Sequence, residues 1–204
     1  MLVKICGITR ADDAHAAVEA GARALGFVFW PSSPRFVDPY RARALVATLP
    51  PFVTSVGLFV DQPAEYITAV ASLARLAAVQ LHGAETPEFA AGLTRPIVKA
   101  LNAGDPQIDR WPANVTILLD TCDPVRRGGT GRTIDWAAAA SIARRRRVLL
   151  AGGLTPENVV EAVGRVRPFG IDVSSGVERA PGVKDHRRIQ ALFDALRSTA
   201  GAAS

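Results

Sequence analysis

The chain contains two short stretches whose composition suits the binding of a phosphate group. The apolar runs Val148 to Ala151 and Gly170 to Val173 each lead into residues with small side chains. Those residues are Gly152 and Gly153 after the first run, and Ser174, Ser175 and Gly176 after the second. Glycines let the backbone approach an anion closely, and free N–H groups at helix N-termini bind phosphate without a basic side chain. The pattern predicts a phosphate cradle, although two ordinary strand-to-helix turns have the same composition.

A thiol and a carboxylate end two further apolar runs. Cys6 ends the run that begins at Leu2, and Asp120 ends the run that begins at Thr116. A phosphate cradle beside these groups, without a dinucleotide fingerprint, favours proton transfer on a sugar phosphate, which needs a base and an acid. Cys6 is the candidate base, because nearby positive charge increases its thiolate fraction, and Asp120 is the candidate acid if its site is partly desolvated. A small buried core residue is the other interpretation of Cys6.

Two loops are predicted to contribute to the site. Arg35 ends a proline-bracketed loop that begins at Trp30, and its guanidinium fork matches a carboxylate, although a surface arginine is an equal alternative. The glycine-rich run Arg126 to Arg132 lacks the Lys followed by Ser or Thr of a nucleotide-binding loop. It is predicted to close over the site, with Gly129 as a substrate contact, whereas Cys122 is expected only to pack.

Alternation along the strands places further polar side chains on common faces. Gln80 and His82 share one face, and Asp172 shares another with Ser174. Because a charge inside an apolar strand is costly without a partner, Lys4 is expected to pair with Asp172. The predicted substrate-binding residues are Arg35, Gln80, His82, Gly129, Gly152, Gly153, Asp172, Ser174, Ser175 and Gly176.

These residues lie at or near the ends of strand-like runs that alternate with helical patterns, which predicts βα units. The predicted strands are Leu2 to Cys6, Leu25 to Phe29, Ser55 to Val60, Ala78 to His82, Ile97 to Leu101, Thr116 to Asp120, Val148 to Ala151 and Gly170 to Val173. The predicted helices are Ala11 to Ala20, Pro39 to Leu49, Pro63 to Leu76, Pro87 to Gly92, Trp136 to Arg145, Pro156 to Val166 and Lys184 to Ser198. Only a turn or a short helix fits Gly104 to Pro112, so the fifth unit is abbreviated.

Parallel strands with short crossovers on a chain of this length predict an α/β fold, a single small (β/α)8 TIM barrel with an abbreviated fifth helix. A doubly wound sheet is the alternative. Active sites of such barrels lie at the carboxyl ends of the strands, and a phosphate site follows the last two strands. Residues 1–200 are predicted to form one catalytic domain, and residues 201–204 are predicted to form a disordered tail.

Composition argues against several classes of protein. With 204 residues, 49% of them hydrophobic and 21% charged, the chain suits one well-buried domain. Its two cysteines and three histidines do not have the spacing of a metal site, so no metal is expected. Apolar runs fall short of the roughly 20 residues of a membrane span, and a strand beginning at Leu2 leaves no room for a signal peptide. A cytoplasmic protein is expected.

The net charge of +5 raises the possibility of nucleic-acid binding. The four arginines Arg144 to Arg147 follow a predicted helix, where cations complement the negative end of the helix dipole. Aromatic residues make up only 6% of the chain and do not alternate with basic residues, as they would in a single-strand-binding surface. We therefore expect no nucleic-acid partner, and a basic surface that helps to attract an anionic substrate.

Six segments of the chain carry short motifs in a fixed order. They are Lys4 to Gly7 (KICG), Gly26 to Arg35 (GFVFWPSSPR), Gln80 to Gly83 (QLHG), Gly128 to Gly131 with Asp135 and Trp136, Gly152 to Asn158, and Asp172 to Glu178. Together they resemble the phosphoribosylanthranilate isomerase family of tryptophan biosynthesis. The resemblance covers nearly the whole chain. It implies a monomeric or homodimeric (β/α)8 barrel that uses no cofactor. It also implies an Amadori rearrangement, in which an aminoaldose phosphate becomes 1-(2-carboxyphenylamino)-1-deoxyribulose 5-phosphate.

The resemblance also assigns roles to individual residues. It places the family's base on Cys6 and its acid on Asp120, in agreement with the choice made from residue types. It implies that Arg35 holds the anthranilate carboxylate and that backbone N–H groups around Gly153 and Ser175 hold the phosphate. Arg132 departs from the lysine that many members carry there, but it keeps the charge.

Two alternative functions are kept open. A related isomerase of histidine biosynthesis, or one barrel serving both pathways, performs the same rearrangement, but resembles a pattern with aspartate in place of Cys6 and an internal half-barrel repeat. A phosphate-binding or regulatory barrel without activity is expected to keep the cradle and lose Cys6 or Asp120. Both residues are present here.

Overall fold

The computed structural model describes residues 1–121 and 134–201, and its central feature is a closed barrel of eight parallel strands. The strands are β1 (Leu2–Cys6), β2 (Ala24–Val28), β3 (Thr54–Phe59), β4 (Ala78–Leu81), β5 (Ile97–Leu101), β6 (Thr116–Leu119), β7 (Val148–Leu150) and β8 (Gly170–Val173). Each strand pairs with the next in chain order, and β8 pairs with β1. The predicted barrel is confirmed. The alternative of a doubly wound sheet is wrong, because such a sheet is open and has two edge strands, whereas here β8 pairs with β1.

Helices follow most of the strands and cover the outside of the barrel. They are α1 (Ala11–Ala20), α2 (Pro39–Val46), α3 (Ala64–Leu73), α4 (Pro87–Ala91), α5 (Trp136–Ala143), α6 (Val159–Val166) and α7 (His186–Gly201). The connection between β5 and β6 contains only the 3₁₀ turn Ile108–Arg110, so the predicted abbreviation of the fifth unit is confirmed.

Alternation along the strands divides the buried side chains into two layers. The larger apolar core lies between the barrel and the helices and includes Ile5, Leu25, Phe27 and Leu150. The smaller clusters inside the barrel consist of Ala100, Leu118, Leu149 and Ala151, and of Ala24, Val56 and Ala78. Because Val3 and Ile5 belong to the outer layer, Lys4 points into the barrel, and Asp172 pairs with it in the register of β1 and β8.

Two connections differ from the sequence prediction. Helix α6 begins at Val159 rather than at Pro156. The Thr155 hydroxyl accepts the N–H of Glu157 at 3.3 Å, and Asn158 Oδ1 accepts the N–H of Thr155 at 2.9 Å, so side chains close a turn before the helix starts.

Lys184 was expected to begin the last helix, but it lies in a hairpin of β9 (Glu178–Ala180) and β10 (Val183–Lys184). A 3₁₀ turn, Ser175–Val177, connects β8 to this hairpin. Helix α7 extends to Gly201, where the predicted tail begins, and residues 202–204 lie outside the described residues. The loop Arg126 to Arg132 and Cys122 also lie outside them. In the described ranges, no helix is long and apolar enough to cross a bilayer.

A buried ion pair outside the barrel holds two loops at its carboxyl end. Lys99 Nζ donates to Glu85 Oε2 at 2.8 Å and to the carbonyl of Gly83 at 2.7 Å. The Glu85 carboxylate also accepts the backbone N–H groups of Asp61 and Gly83, at 2.8 and 2.9 Å. The pair therefore fixes the turn that immediately follows His82.

We predict that Lys99→Met lowers the free energy of unfolding by about 3–5 kcal/mol, because it leaves the Glu85 carboxylate buried without its cation. Urea unfolding followed by circular dichroism measures the change. The control is Arg145→Gln, which removes an exposed ion pair with Asp109 and should change the stability far less. Equal stability of the Lys99→Met variant and the unchanged chain would contradict this account.

Candidate active site

The lumen of the barrel contains a buried ion pair at the level of Cys6. Lys4 Nζ lies 2.9 Å from Asp172 Oδ1, and both side chains are buried. The predicted Lys4–Asp172 pair is therefore confirmed. Burial alone would lower the pKa of Lys4, but Asp172 and the nearby Cys6 thiol raise it above its ordinary value, so the ammonium is charged at neutral pH.

The Cys6 thiol lies beside this pair. A methyl group at Gly26, its neighbour in β2, would lie 2.7 Å from Cys6 Sγ and 3.1 Å from Lys4 Nζ, so the missing side chain leaves room for both groups. Burial raises the pKa of the thiol, while Lys4 and Lys184 lower it. The two cations act in the expected direction, but burial and the Asp172 carboxylate outweigh them, so the pKa of the thiol is raised overall.

Asp120 lies at the end of β6, near His82. Asp120 Oδ1 accepts the N–H of Thr121 at 2.7 Å, and Oδ2 lies 3.6 Å from His82 Nε2. Gln80 Nε2 donates to His82 Nδ1 at 2.9 Å, which places the proton of a neutral ring on Nε2, facing Asp120. Burial lowers the pKa of His82 although Asp120 opposes this, so the ring is neutral at neutral pH. Within the described residues, the buried Gln80 Oε1 has no hydrogen-bond partner.

Arg35 is held by a carboxylate that sequence reasoning did not single out. Arg35 Nε and Nη2 donate to the Glu178 carboxylate at 2.9 and 2.7 Å. Lys184 Nζ donates to the same carboxylate at 2.8 Å and to the carbonyl of Ser174 at 3.2 Å. The alternative of a surface arginine is wrong, since the Arg35 side chain is only 17% exposed. Glu178 belongs to the segment Asp172 to Glu178, one of the six that resemble the family, but its contact with Arg35 becomes visible only once the β9–β10 hairpin is known.

This second charge cluster is also electrostatically linked to Cys6. Burial would raise the pKa of Glu178, but hydrogen bonds from Arg35 and Lys184 lower it overall. Burial lowers the pKa of Lys184 despite Glu178, whereas the pKa of Arg35 is raised, because Glu178 outweighs burial. The thiol therefore interacts electrostatically with three cationic side chains and with the Asp172 carboxylate.

The predicted cradle forms one wall of an open cleft of about 370 Å³. The cleft is lined by Gly153, Thr155, Ser175, Gly176, Glu178 and Arg188. A methyl group at Gly176 would lie 1.8 Å from the carbonyl oxygen of Leu154, so glycine is required for the loops after β7 and β8 to touch. Within the described ranges, the N–H groups of Gly153, Ser175 and Gly176 donate to no other group. Free donors on two adjacent loops are suited to an anion.

The remaining predicted substrate-binding residues do not all line the cleft. Gly152 adopts a φ of 79° next to Asp120, where an added methyl group would lie 3.3 Å from Oδ1. The Ser174 hydroxyl donates to the carbonyl of Cys6 at 3.1 Å instead of facing the cleft. Gly129 lies outside the described residues. No group of histidine, cysteine or acidic residues in the described part of the chain could hold a metal ion.

Comparisons with known proteins agree on one family. The sequence model for N-(5'phosphoribosyl)anthranilate (PRA) isomerase matches residues 3–195. The chain is 46% identical over 200 residues to the N-(5'-phosphoribosyl)anthranilate isomerase of Pelobacter propionicus, with 97% of this chain and 96% of that protein covered.

Solved structures give the same result. Phosphoribosyl anthranilate isomerase from Thermus thermophilus has a TM-score of 0.90 and 44% identity, covering 98% of this chain and 100% of that chain. A phosphoribosyl anthranilate isomerase in complex with reduced 1-(o-carboxyphenylamino)-1-deoxyribulose 5-phosphate has a TM-score of 0.85 and 41% identity, with 97% and 100% coverage.

We predict that Lys4→Met raises the pKa of the Cys6 thiol further, because it removes a cation that favours the thiolate and leaves the Asp172 carboxylate unpaired beside it. The ultraviolet absorbance of the thiolate, followed against pH in a Cys122→Ser background, measures this pKa. Lys184→Met should shift it in the same direction, and the exposed Arg147→Gln should not. A lower thiol pKa in folded Lys4→Met protein would contradict the described arrangement of charges.

Proposed function

Since this chain belongs to the N-(5'-phosphoribosyl)anthranilate isomerase family, the isomerases of tryptophan biosynthesis, we propose that Cys6 and Asp120 carry out its reaction as base and acid. The observation that carries the proposal is the position of both groups at the carboxyl end of one barrel. Cys6 ends β1 and Asp120 follows β6, and both are buried. Sites on this end of a barrel act on substrates that enter between the loops.

Asp120 acts first in the proposed mechanism. Its carboxylic acid donates a proton to the ring oxygen of the furanose while the bond between that oxygen and C1 breaks, and the nitrogen lone pair forms the Schiff base. His82 faces the same carboxylate at 3.6 Å through its Nε2 proton. A neutral histidine in this position places no positive charge beside Asp120.

Cys6 acts in the second step. Its thiolate removes the proton from C2, and the electrons of that bond neutralise the iminium nitrogen to give an enolamine. Protonation at C1 and loss of the C2 hydroxyl proton then produce the aminoketose. Lys4 and Lys184 lower the pKa of the thiol and so favour the thiolate, while burial raises the pKa and makes the thiolate a stronger base.

The two ends of the substrate are held by different groups. We assign the phosphate to the free N–H groups of Gly153, Ser175 and Gly176, which line the cleft after β7 and β8. We assign the anthranilate carboxylate to Arg35. Glu178 occupies Nε and Nη2 of Arg35, and Nη1 donates to no described residue, so one edge of the guanidinium is available. Binding at both ends fixes the sugar between Cys6 and Asp120.

Three wider features of the chain are part of the proposal. Residues 1–200 form one catalytic domain. The chain is a monomer or a homodimer, and a dimer is supported by Phe52, which is 90% exposed in the turn before β3. A cytoplasmic location follows from a doubly charged phosphorylated substrate that does not cross membranes unaided.

We expect that Cys6→Ala and Asp120→Asn each reduce the turnover of phosphoribosylanthranilate by about 10²- to 10⁴-fold, because each removes one proton-transfer group. Loss of the substrate's fluorescence measures turnover, and the aminoaldose of histidine biosynthesis serves as a parallel substrate. Cys122→Ala is the matched control and should keep full activity.

The possible outcomes separate the alternatives. Turnover of both substrates by the unchanged chain would make it a dual-pathway enzyme. Full activity of folded Cys6→Ala or Asp120→Asn protein would refute the assigned roles. No turnover of either substrate by the folded chain would instead favour a binding protein.

A further inference from the structure

Among the residues that the structure describes, Arg188 is the arginine that lines the cleft described above for the phosphate. It is the third residue of α7, and its side chain is 36% exposed. Its Nε donates to the carbonyl of Gly176 at 2.8 Å, on the loop that supplies two of the free N–H groups. A basic side chain is therefore anchored directly on the cradle, although the sequence pattern of a phosphate cradle does not require one.

The guanidinium is only partly used by its neighbours. Nη2 donates to Glu157 Oε2 at 2.9 Å, across the start of α6, and Nη1 donates to no described residue. The hydroxyl of Thr155 and then Arg188 lower the pKa of Glu157 to about 2, so this carboxylate is ionised at neutral pH. Glu157 is 64% exposed, so water can take over its solvation if Arg188 moves away.

We propose that Arg188 is a further substrate-binding residue, whose guanidinium exchanges Glu157 for the phosphate of the substrate. This inference rests on the proposed function, because it takes the cleft to be the phosphate site. A phosphate dianion offers more charge and more acceptor oxygens than one exposed carboxylate, and Arg matches its geometry. The hydrogen bond from Nε to the Gly176 carbonyl keeps the guanidinium at the cradle, and rotation of the whole planar group about that bond moves Nη1 and Nη2 from one anion to the other.

The exchange gives Glu157 a definite role. Without bound substrate, Glu157 pairs with the charge of Arg188, and on binding it competes with the phosphate for the same N–H donors. Glu157 is therefore expected to weaken phosphate binding, whereas Arg188 strengthens it. A purely structural ion pair between the starts of α6 and α7 predicts the opposite for Glu157, since removing either partner would then loosen the cleft equally.

The test compares three variants in the full chain. Arg188→Gln is expected to raise KM for phosphoribosylanthranilate and Kd for inorganic phosphate by about 10-fold, with kcat nearly unchanged. Glu157→Gln is expected to lower the Kd for inorganic phosphate by about 2- to 5-fold, because it frees the guanidinium. Arg187→Gln, which removes the same charge from the next residue of α7, should change neither value. Calorimetry measures the Kd, and steady-state kinetics measure KM and kcat.

The results distinguish failure of this inference from failure of the proposed function. If the unchanged chain binds inorganic phosphate but Arg188→Gln binds it equally well, the role of Arg188 is refuted and the phosphate site stands. Weakened binding in both Arg188→Gln and Glu157→Gln would also refute it, in favour of a structural ion pair. If the unchanged chain neither binds phosphate nor turns over the substrate, the proposed function itself fails.

Discussion

The desolvated charges where β1 and β8 meet are the constraint on which the rest of the site depends. Lys4 and Asp172 are buried in the lumen at a separation of 2.9 Å, and the attraction between them offsets the cost of removing both charges from water. Their register makes the pair possible, because Lys4 and Asp172 are direct neighbours across the strands. The ammonium of Lys4 also favours a Cys6 thiolate, more strongly than Lys184 does. The structural ion pair and the proposed base are therefore one electrostatic unit.

A second cluster of paired charges consists of Arg35, Glu178 and Lys184. Glu178 binds both Arg35 and Lys184, and Lys184 also reaches the carbonyl of Ser174. The hairpin β9–β10 brings Glu178 and Lys184 to this position from beyond β8. Since Arg35 also packs over Gly7, directly after Cys6, the group assigned to the anthranilate carboxylate is fixed relative to the base. Preorganised side chains of this kind lower the cost of orienting a substrate.

The fold and the centre of the site could be predicted from the sequence because both follow short-range patterns. Apolar runs in the sequence indicated the strands, and in a (β/α)8 barrel the carboxyl ends of all eight strands lie at the same end. Cys6, Asp120 and the Lys4–Asp172 pair followed from strand ends and from the cost of unpaired charge. Glu178 and Arg35 are separated by 143 positions, and no local pattern shows that one contacts the other. The net rise in the thiol pKa was missed for a related reason, since burial depends on neighbours distant in sequence.

The assignment of two separate proton-transfer roles is the central claim, and the deuterium isotope effect at C2 of the ribose tests it most directly. The account predicts opposite changes in kcat/KM isotope effects for substrate deuterated at C2. In Cys6→Ser, abstraction of the C2 proton becomes slower than ring opening, so the isotope effect should increase. In Asp120→Asn, ring opening becomes rate-limiting, so the isotope effect should disappear. The same change in both variants, or an increase in Asp120→Asn, would contradict the roles assigned to Cys6 and Asp120.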